Sequence, residues 1–212
     1  MQLQHPSRGI VAAASGRGKT RWMVDRVLDP QSPWKQVHVF CDELSADQSE
    51  YQRLQDQFKG PVTMHTGLPK NEDDESALLA QLSDSRIPKV CIVDDLMEQS
   101  ERGRPQQFLS KLYTSGRHLN CSVYQLLQRF HSSRSNRLNA EYIICGSIPA
   151  DASALATIAR QIDPEDGGKH ILQCWRQATS KPYGFLVIDL HTPDSRLRLR
   201  DTELDTIFAE KK

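Results

Sequence analysis

The sequence is most informative at first by what it lacks. It has no net charge, because 27 Lys and Arg offset 27 Asp and Glu. The chain as a whole is therefore neither a basic nucleic-acid coat nor an acidic tail protein. It has no Cys-x-x-Cys pair. Its five cysteines, Cys41, Cys91, Cys121, Cys145 and Cys174, are odd in number and far apart. That spacing excludes a zinc site or a disulfide framework and favours a reducing compartment. Three of them fall in apolar runs and read as small buried hydrophobes. No apolar run reaches the ~20 residues that cross a bilayer, and residues 1–20 hold no signal-peptide core. The expectation is a chain without a transmembrane segment, reaching a membrane only through a partner. Internal repeats and low-complexity linkers are absent as well.

What is present is an ordinary globular composition, with 38% apolar and 25% charged residues over 212 positions. That length predicts one domain over 1–212, or at most one with a small appendage. Short apolar runs alternate with polar, helix-compatible stretches. Strands are predicted at 9–14, 36–40, 61–65, 89–97, 121–128 and 141–146. Helices are predicted at 20–29, within 42–58, and at 77–85, 105–120 and 151–162. The stretch 67–76, with its acidic run, reads as a solvated loop. "HILQCWRQA" (170–178) and "YGFLVIDL" (183–190), separated by "TSKP", read as a terminal β-hairpin. This alternation predicts an α/β fold, a mostly parallel sheet flanked by helices, with ligands at the carboxyl ends of its strands.

The motifs fall at those ends. "GIVAAASGRGKT" runs from a strand through a small-residue turn into a helix. A loop of that kind points backbone N–H groups at an anion, at the positive end of a helix dipole. The expected phosphate contacts are Ser15, Gly16, Arg17, Gly18, Lys19 and Thr20. Lys19 would reach the terminal phosphates, and the Thr20 hydroxyl a Mg²⁺ ion. The usual first glycine of such a loop is missing, since Ala13 stands there. An alanine fits only if its φ is negative.

The second signal is "VCIVDDL", a buried strand ending in Asp94 and Asp95. Two adjacent carboxylates repel each other unless they serve a cation and a water molecule. Asp94 is the candidate metal ligand and Asp95 the candidate base that activates water. A third signal is charge segregation. From Arg102 to Ala140 there is no acidic residue, while Arg102, Arg104, Lys111, Arg117, Arg129, Arg134 and Arg137 all occur there, with His118 and His131. Such a region suits DNA phosphates or the ATP of a neighbouring subunit. Gln128 closes a strand beside the Asp94 strand, where it can sense a γ-phosphate or position water.

In this order the motifs resemble the FtsK–HerA superfamily of DNA-pumping ATPases, and within it the poxvirus-type branch of viral genome-packaging ATPases. That branch occurs in large DNA viruses, virophages, Polinton-like elements and tailless membrane-containing phages. The resemblance covers nearly the whole chain. It rests on "HPSRGIVAAASGRGKT", on "VCIVDDL", on "GRHLNCSVYQLLQRFHSSRSNRLNAEYIICG", and on "ATSKPYGFLVIDL" followed by "RLRLR". It implies a P-loop NTPase fold of the RecA-like ASCE type and a homo-oligomeric ring, a hexamer or pentamer. It also implies ATP-driven, Mg²⁺-dependent movement of double-stranded DNA, whatever its sequence, into a preformed capsid. Viral capsid vertex proteins would be partners, at the virion or the viral assembly site.

By the same resemblance, Lys19 and Thr20 hold nucleotide and Mg²⁺, Asp94 holds Mg²⁺, Asp95 is the catalytic acid and Gln128 the sensor. Arg137, Arg134 or Arg117 acts on the neighbour's ATP, with Arg137 first among them. Asp95 stands where many relatives carry Glu. The chief rival reading is a P-loop kinase for a small molecule or nucleotide, its basic stretch a lid. Two others are a membrane-anchored phage export ATPase, which needs a spanning segment, and an inactive scaffold, suggested by Ala13.

Overall fold

The computed structural model describes residues 2–46, 48–96, 99, 103–130, 134–194 and 197–204. Of Leu44, Ala46, Arg134 and Ser135 it describes the backbone alone. Arg102 and His131 of the basic stretch lie outside the described residues.

Eight strands form one sheet. They are β1 (Arg8–Ala12), β2 (Gln36–Cys41), β3 (Val62–Thr66), β4 (Lys89–Asp94), β5 (Cys121–Leu127), β6 (Tyr142–Cys145), β7 (Leu186–Asp189) and β8 (Leu199–Arg200). Their spatial order is β3-β2-β4-β5-β1-β6-β7-β8. The first six are parallel, and β7 and β8 run antiparallel to their neighbours. The described helices are α1 (Lys19–Leu28), α2 (Glu43–Ala46), α3 (Ser49–Gln57), α4 (Glu72–Leu82), α5 (Gly103–Ser115), α6 (Arg134–Asn139), α7 (Ala152–Ile162) and α8 (Lys169–Ala178). None of them is long and apolar enough to cross a membrane.

The parallel strands read as continuous apolar runs because both faces of the sheet are covered. On one face Val11, Val39, Ile92 and Leu126 meet Trp22, Met23 and Val27 of α1 and Tyr51 and Leu54 of α3. On the other, Ile10, Phe40, Val93 and Val123 meet Leu78 of α4, Phe108 and Leu112 of α5, Ile158 of α7 and Ile171 of α8. Period-two alternation along each strand feeds the two layers. All five cysteines are buried within this packing.

Two expectations need correction. Residues 170–178 are not a strand of a hairpin but lie in α8. Ile171, Leu172, Cys174, Trp175 and Ala178 recur at helical spacing, and all pack on one core cluster. The apolar residues Ile171, Leu172, Cys174 and Trp175, crowded within five positions, masked a 3.6-residue period. The antiparallel strands at the carboxyl end are instead β6–β7 and β7–β8, the latter drawn from "LVID" and "LR". The acidic run at 72–75 is not loop but the first turn of α4. Asn71 caps it by accepting from the Asp74 N–H at 2.8 Å. Acidic side chains are favoured there by the helix dipole.

Candidate phosphate site at the carboxyl ends of β1, β4 and β5

Sheet order explains why residues far apart in sequence meet. β5 lies between β1 and β4, so all three strands deliver their carboxyl ends to one place. β1 delivers the loop 13–18. It turns through Gly16 (φ 70°) and Gly18 (φ 84°), both in the left-handed region that glycine occupies without cost. Gly18 is the N-cap of α1, so the free N–H groups of the first helical turn open beside the loop. Ser15, Gly16, Gly18, Lys19 and Thr20 line a cavity of about 330 Å³ together with Asp94, Asp95 and Gln128. Arg17 is exposed, and its N–H donates to the Ala14 carbonyl at 3.2 Å.

The alanine in place of the first glycine has a specific accommodation. Ala13 is fully buried, is not among the described residues with positive φ, and donates its N–H to the Leu127 carbonyl at 3.1 Å. Its methyl sits against Gly146. A Cβ built on Gly146 would stand 2.7 Å from the Ala13 Cβ, closer than such atoms approach. The glycine the loop lacks at 13 is thus supplied across the sheet at 146.

Burial and charge set the chemistry of the cavity. The Lys19 ammonium donates to the carbonyls of Ala13 (2.9 Å) and Ala14 (3.4 Å), which holds it over the loop. Burial lowers its pKa, and the carboxylates of Asp94 and Asp95 oppose that shift. Asp94 is 4% exposed at the end of β4. Its Oδ2 accepts from the Thr20 hydroxyl at 2.8 Å and the Tyr51 hydroxyl at 2.6 Å. Burial raises its pKa, while those two hydrogen bonds and Lys19 pull it down. Tyr51, from α3, is held well above the ordinary phenol range by burial and by Asp94.

Asp95 diverges from its neighbour because its backbone turns left-handed, at φ 55°, a conformation Asp tolerates better than most residues. The turn sends Asp95 outward, where Oδ2 accepts from Gln128 Nε2 at 2.6 Å. One acid is thereby buried against hydroxyls, and the other is exposed and paired with an amide.

Asp94 and Thr20 offer two oxygen donors side by side. Among the described residues no cluster of three His, Cys, Asp or Glu side chains forms a cage for a metal. Such a donor pair suits Mg²⁺, which keeps waters and takes substrate phosphate oxygens in preference to an all-protein shell.

Of the sequence-predicted residues, the structure brings together Ser15, Gly16, Gly18, Lys19, Thr20, Asp94, Asp95 and Gln128. Two of the three arginines, Arg117 and Arg137, are elsewhere. Arg117 lies in the 3₁₀ turn 116–119 before β5, at the amino ends of the strands. Arg137, in α6, borders a separate apolar cavity with Leu138 and Ile158. Arg134 opens α6. Neither Arg117 nor Arg137 lines the phosphate cavity.

The basic stretch is partly neutralised from within. Arg104 pairs with Glu72 (2.8 Å) and Glu75 (3.1 Å), and Lys111 pairs with Glu75 (3.2 Å). Sequence reasoning missed Tyr51, and missed Gln48 and Glu50, which also line the cavity. Tyr51 and Leu54, buried at i and i+3 in an otherwise polar helix, carried the signal. The His-Pro lead-in is distant from the cavity. The ring of His5 bonds Asn120 Oδ1 and Ser122 Oγ, each at 2.8 Å, and ties the amino-terminal segment to the start of β5.

A mostly parallel sheet with a phosphate loop between β1 and α1 and an acidic β4 defines a P-loop ATPase fold. Comparison with solved structures agrees. The DNA-packaging ATPase B204 of Sulfolobus turreted icosahedral virus superposes with a TM-score of 0.65 at 13% identity, over 94% of this chain and 98% of that one. The genome-packaging NTPase B204 of Sulfolobus turreted icosahedral virus 2, in complex with ATPγS, gives 0.61 at 16% identity over 92% and 96%. The pCW3 conjugation coupling protein TcpA, also with ATPγS, gives 0.53 at 13% identity over 92% of this chain and 59% of that one. The fold is shared with these structures. No protein-family model matches the chain, and no curated protein matches it in sequence.

Proposed function

We propose that the chain is a single P-loop domain that hydrolyses ATP and uses the energy to move double-stranded DNA into a viral capsid. The observation that carries the ATPase reading is the convergence of Lys19, Thr20, Asp94, Asp95 and Gln128 on one cavity, from three strands and 110 positions of sequence. The packaging reading is supported by the full-length likeness to the B204 enzymes and by the motif order.

In this reading the loop N–H groups and Lys19 hold the β- and γ-phosphates, and the electrostatic stabilisation they supply grows as charge develops in the transition state. Thr20 and Asp94 would hold Mg²⁺, which supplies charge neutralisation at the phosphates. Asp95 takes the proton from a water that attacks the γ-phosphorus. The new P–O bond forms as the bond to the β–γ bridging oxygen breaks, leaving ADP and phosphate. Gln128 already donates to Asp95, and its amide is placed to turn between that carboxylate and a γ-phosphate oxygen. Loss of the γ-phosphate then reports to β5. An arginine from a neighbouring copy, Arg137, Arg134 or Arg117, completes the site in a ring. Among the described side chains, Arg117 and Arg137 stand outside the chain's own cavity, which fits a role toward a neighbour. The DNA surface, in a chain of zero net charge, is assembled by the ring.

The kinase reading loses its lid. Among the described side chains, the basic stretch contributes Gln128 and no arginine to the cavity lining, and Arg104 and Lys111 are engaged by acids of α4. The test is steady-state ATP hydrolysis at low salt, with and without linear duplex DNA, beside Lys19→Ala. The reading requires turnover that DNA of any sequence stimulates and that the variant abolishes. Undiminished turnover by the variant would refute the site. Turnover dependent on a small phosphoryl acceptor and indifferent to DNA would move the assignment to a kinase.

A further inference from the structure

Tyr51 lies in the first turn of α3 and is fully buried, yet its hydroxyl reaches a carboxylate of the phosphate cavity. It donates to Asp94 Oδ2 at 2.6 Å, the same oxygen that accepts from Thr20 at 2.8 Å. Two hydroxyls on one oxygen leave the other carboxylate oxygen for a different partner. They also fix the plane of the carboxyl group, whose terminal torsion is otherwise soft. Thr20 cannot be relied on for this alone, because its own oxygen is wanted at the cation. Tyr51 has no such second duty. The ring is held by its surroundings. It packs in the core cluster with Trp22 and Met23 of α1, Leu54 of α3 and Cys41 at the end of β2. Arg53, two residues further along α3, pairs with Glu50 at 2.8 Å and with Asp25 of α1. Thr20 and Tyr51 thus come from two helices braced against each other. Packing alone does not call for the hydroxyl, since phenylalanine would fill the same space.

We propose that Tyr51 is a positioning residue for the cation site, its hydroxyl holding the Asp94 carboxylate so that the second oxygen is offered to a divalent metal. The proposal rests on the phosphate and Mg²⁺ reading above. A carboxylate that ligates a metal is oriented by the hydrogen bonds behind it, and losing one of them weakens the metal even though no ligand is removed. The demand is greater for a buried acid. Asp94 is 4% exposed, so water is not at hand to replace a lost donor. The neighbouring Asp95 shows the contrast. Its carboxylate is exposed and meets the Gln128 amide, with no buried hydroxyl behind it. The two acids of "DD" therefore differ in what fixes them, one by a rigid aromatic arm from α3 and the other by a side chain of the cavity itself.

The test uses Mn²⁺, which takes the same oxygen ligands as Mg²⁺ and is visible by electron paramagnetic resonance, titrated into the full chain loaded with ATPγS. A second titration follows ATPγS alone by calorimetry in EDTA. Tyr51→Phe keeps the ring and removes the hydroxyl. It should weaken Mn²⁺ by about 10-fold to about 100-fold and leave the metal-free affinity for ATPγS unchanged. Asp94→Asn should weaken Mn²⁺ at least as much. If Tyr51→Phe leaves Mn²⁺ affinity intact while Asp94→Asn reduces it, or if it weakens metal and metal-free nucleotide equally, the positioning role is refuted and the cation reading stands. If Asp94→Asn leaves Mn²⁺ affinity intact, the cation reading falls, and this proposal with it. Lys19→Ala should weaken ATPγS in EDTA, and an unchanged affinity there would overturn the phosphate reading on which both depend.

Discussion

The loop end of the sheet and the basic stretch of residues 102–140 are both conspicuous in the sequence, and the fold treats them in opposite ways. At the loop end, residues from β1, β4 and β5 that are far apart in sequence share one cavity, and each polar group has a specific neighbour: Lys19 with two carbonyls, Asp94 with two hydroxyls, Asp95 with an amide. In the basic stretch, residues close in sequence are scattered. Arg104 and Lys111 face the acids of α4, Arg117 lies at the amino ends of the strands, and Arg137 borders an apolar cavity. Sheet topology gathers ligands at strand ends, whereas a count of charges along a chain says nothing about which of them meet. The contacts of Arg104 and Lys111 with Glu72 and Glu75 run to α4, some 30 positions away in sequence.

The comparison is testable from its strongest contrast downward. Lys19→Ala removes the ammonium held over the loop and should lower ATP turnover by at least about 100-fold, measured as phosphate release, with the circular dichroism spectrum unchanged. Next comes pH. Burial raises the Asp94 pKa, so the carboxylate is lost to protonation earlier on the way down than in an exposed aspartate, and a neutral Asp94 is a poor cation ligand. The acid limb of kcat/KM should therefore fall above the ordinary aspartate range. A limb at or below that range would show that Asp94 does not govern it.

A smaller effect is expected at Gly146. Gly146→Ala drives a methyl into Ala13 and Phe185 and should destabilise the fold by about 1–3 kcal/mol, read from urea unfolding. Pairing it with Ala13→Gly should recover part of that loss. The least effect belongs to Arg104→Ala. Its charge is spent on Glu72 and Glu75 at the surface, so DNA-stimulated turnover should not change. A marked fall would return the basic stretch to the functional site and break the contrast.

Much of this was legible in advance where period and punctuation agree. The strand at 89–94 carries an unbroken apolar run at 90–93, and the turn at 15–18 is punctuated by two glycines, so both were located by local rules. The α/β layering followed from their alternation. Two features escaped. The helix 169–178 was hidden because its apolar residues crowd into 171–175 and read as a short strand. Tyr51 escaped because its role depends on where α3 crosses the end of β4, which no local pattern encodes. The arginines show the reverse failure, a pattern evident in sequence that the fold disperses.

The contact between Ala13 and Gly146 also imposes an order on change. A chain with side chains at both positions is overfilled, so any route between a glycine-first and an alanine-first loop has to pass through the form with glycine at both. That couples two sites separated by 133 positions, with Phe185 also closing on Gly146, 2.7 Å from the same built Cβ. A loop irregular by its own spelling thus finds its room in a residue of the neighbouring strand's end.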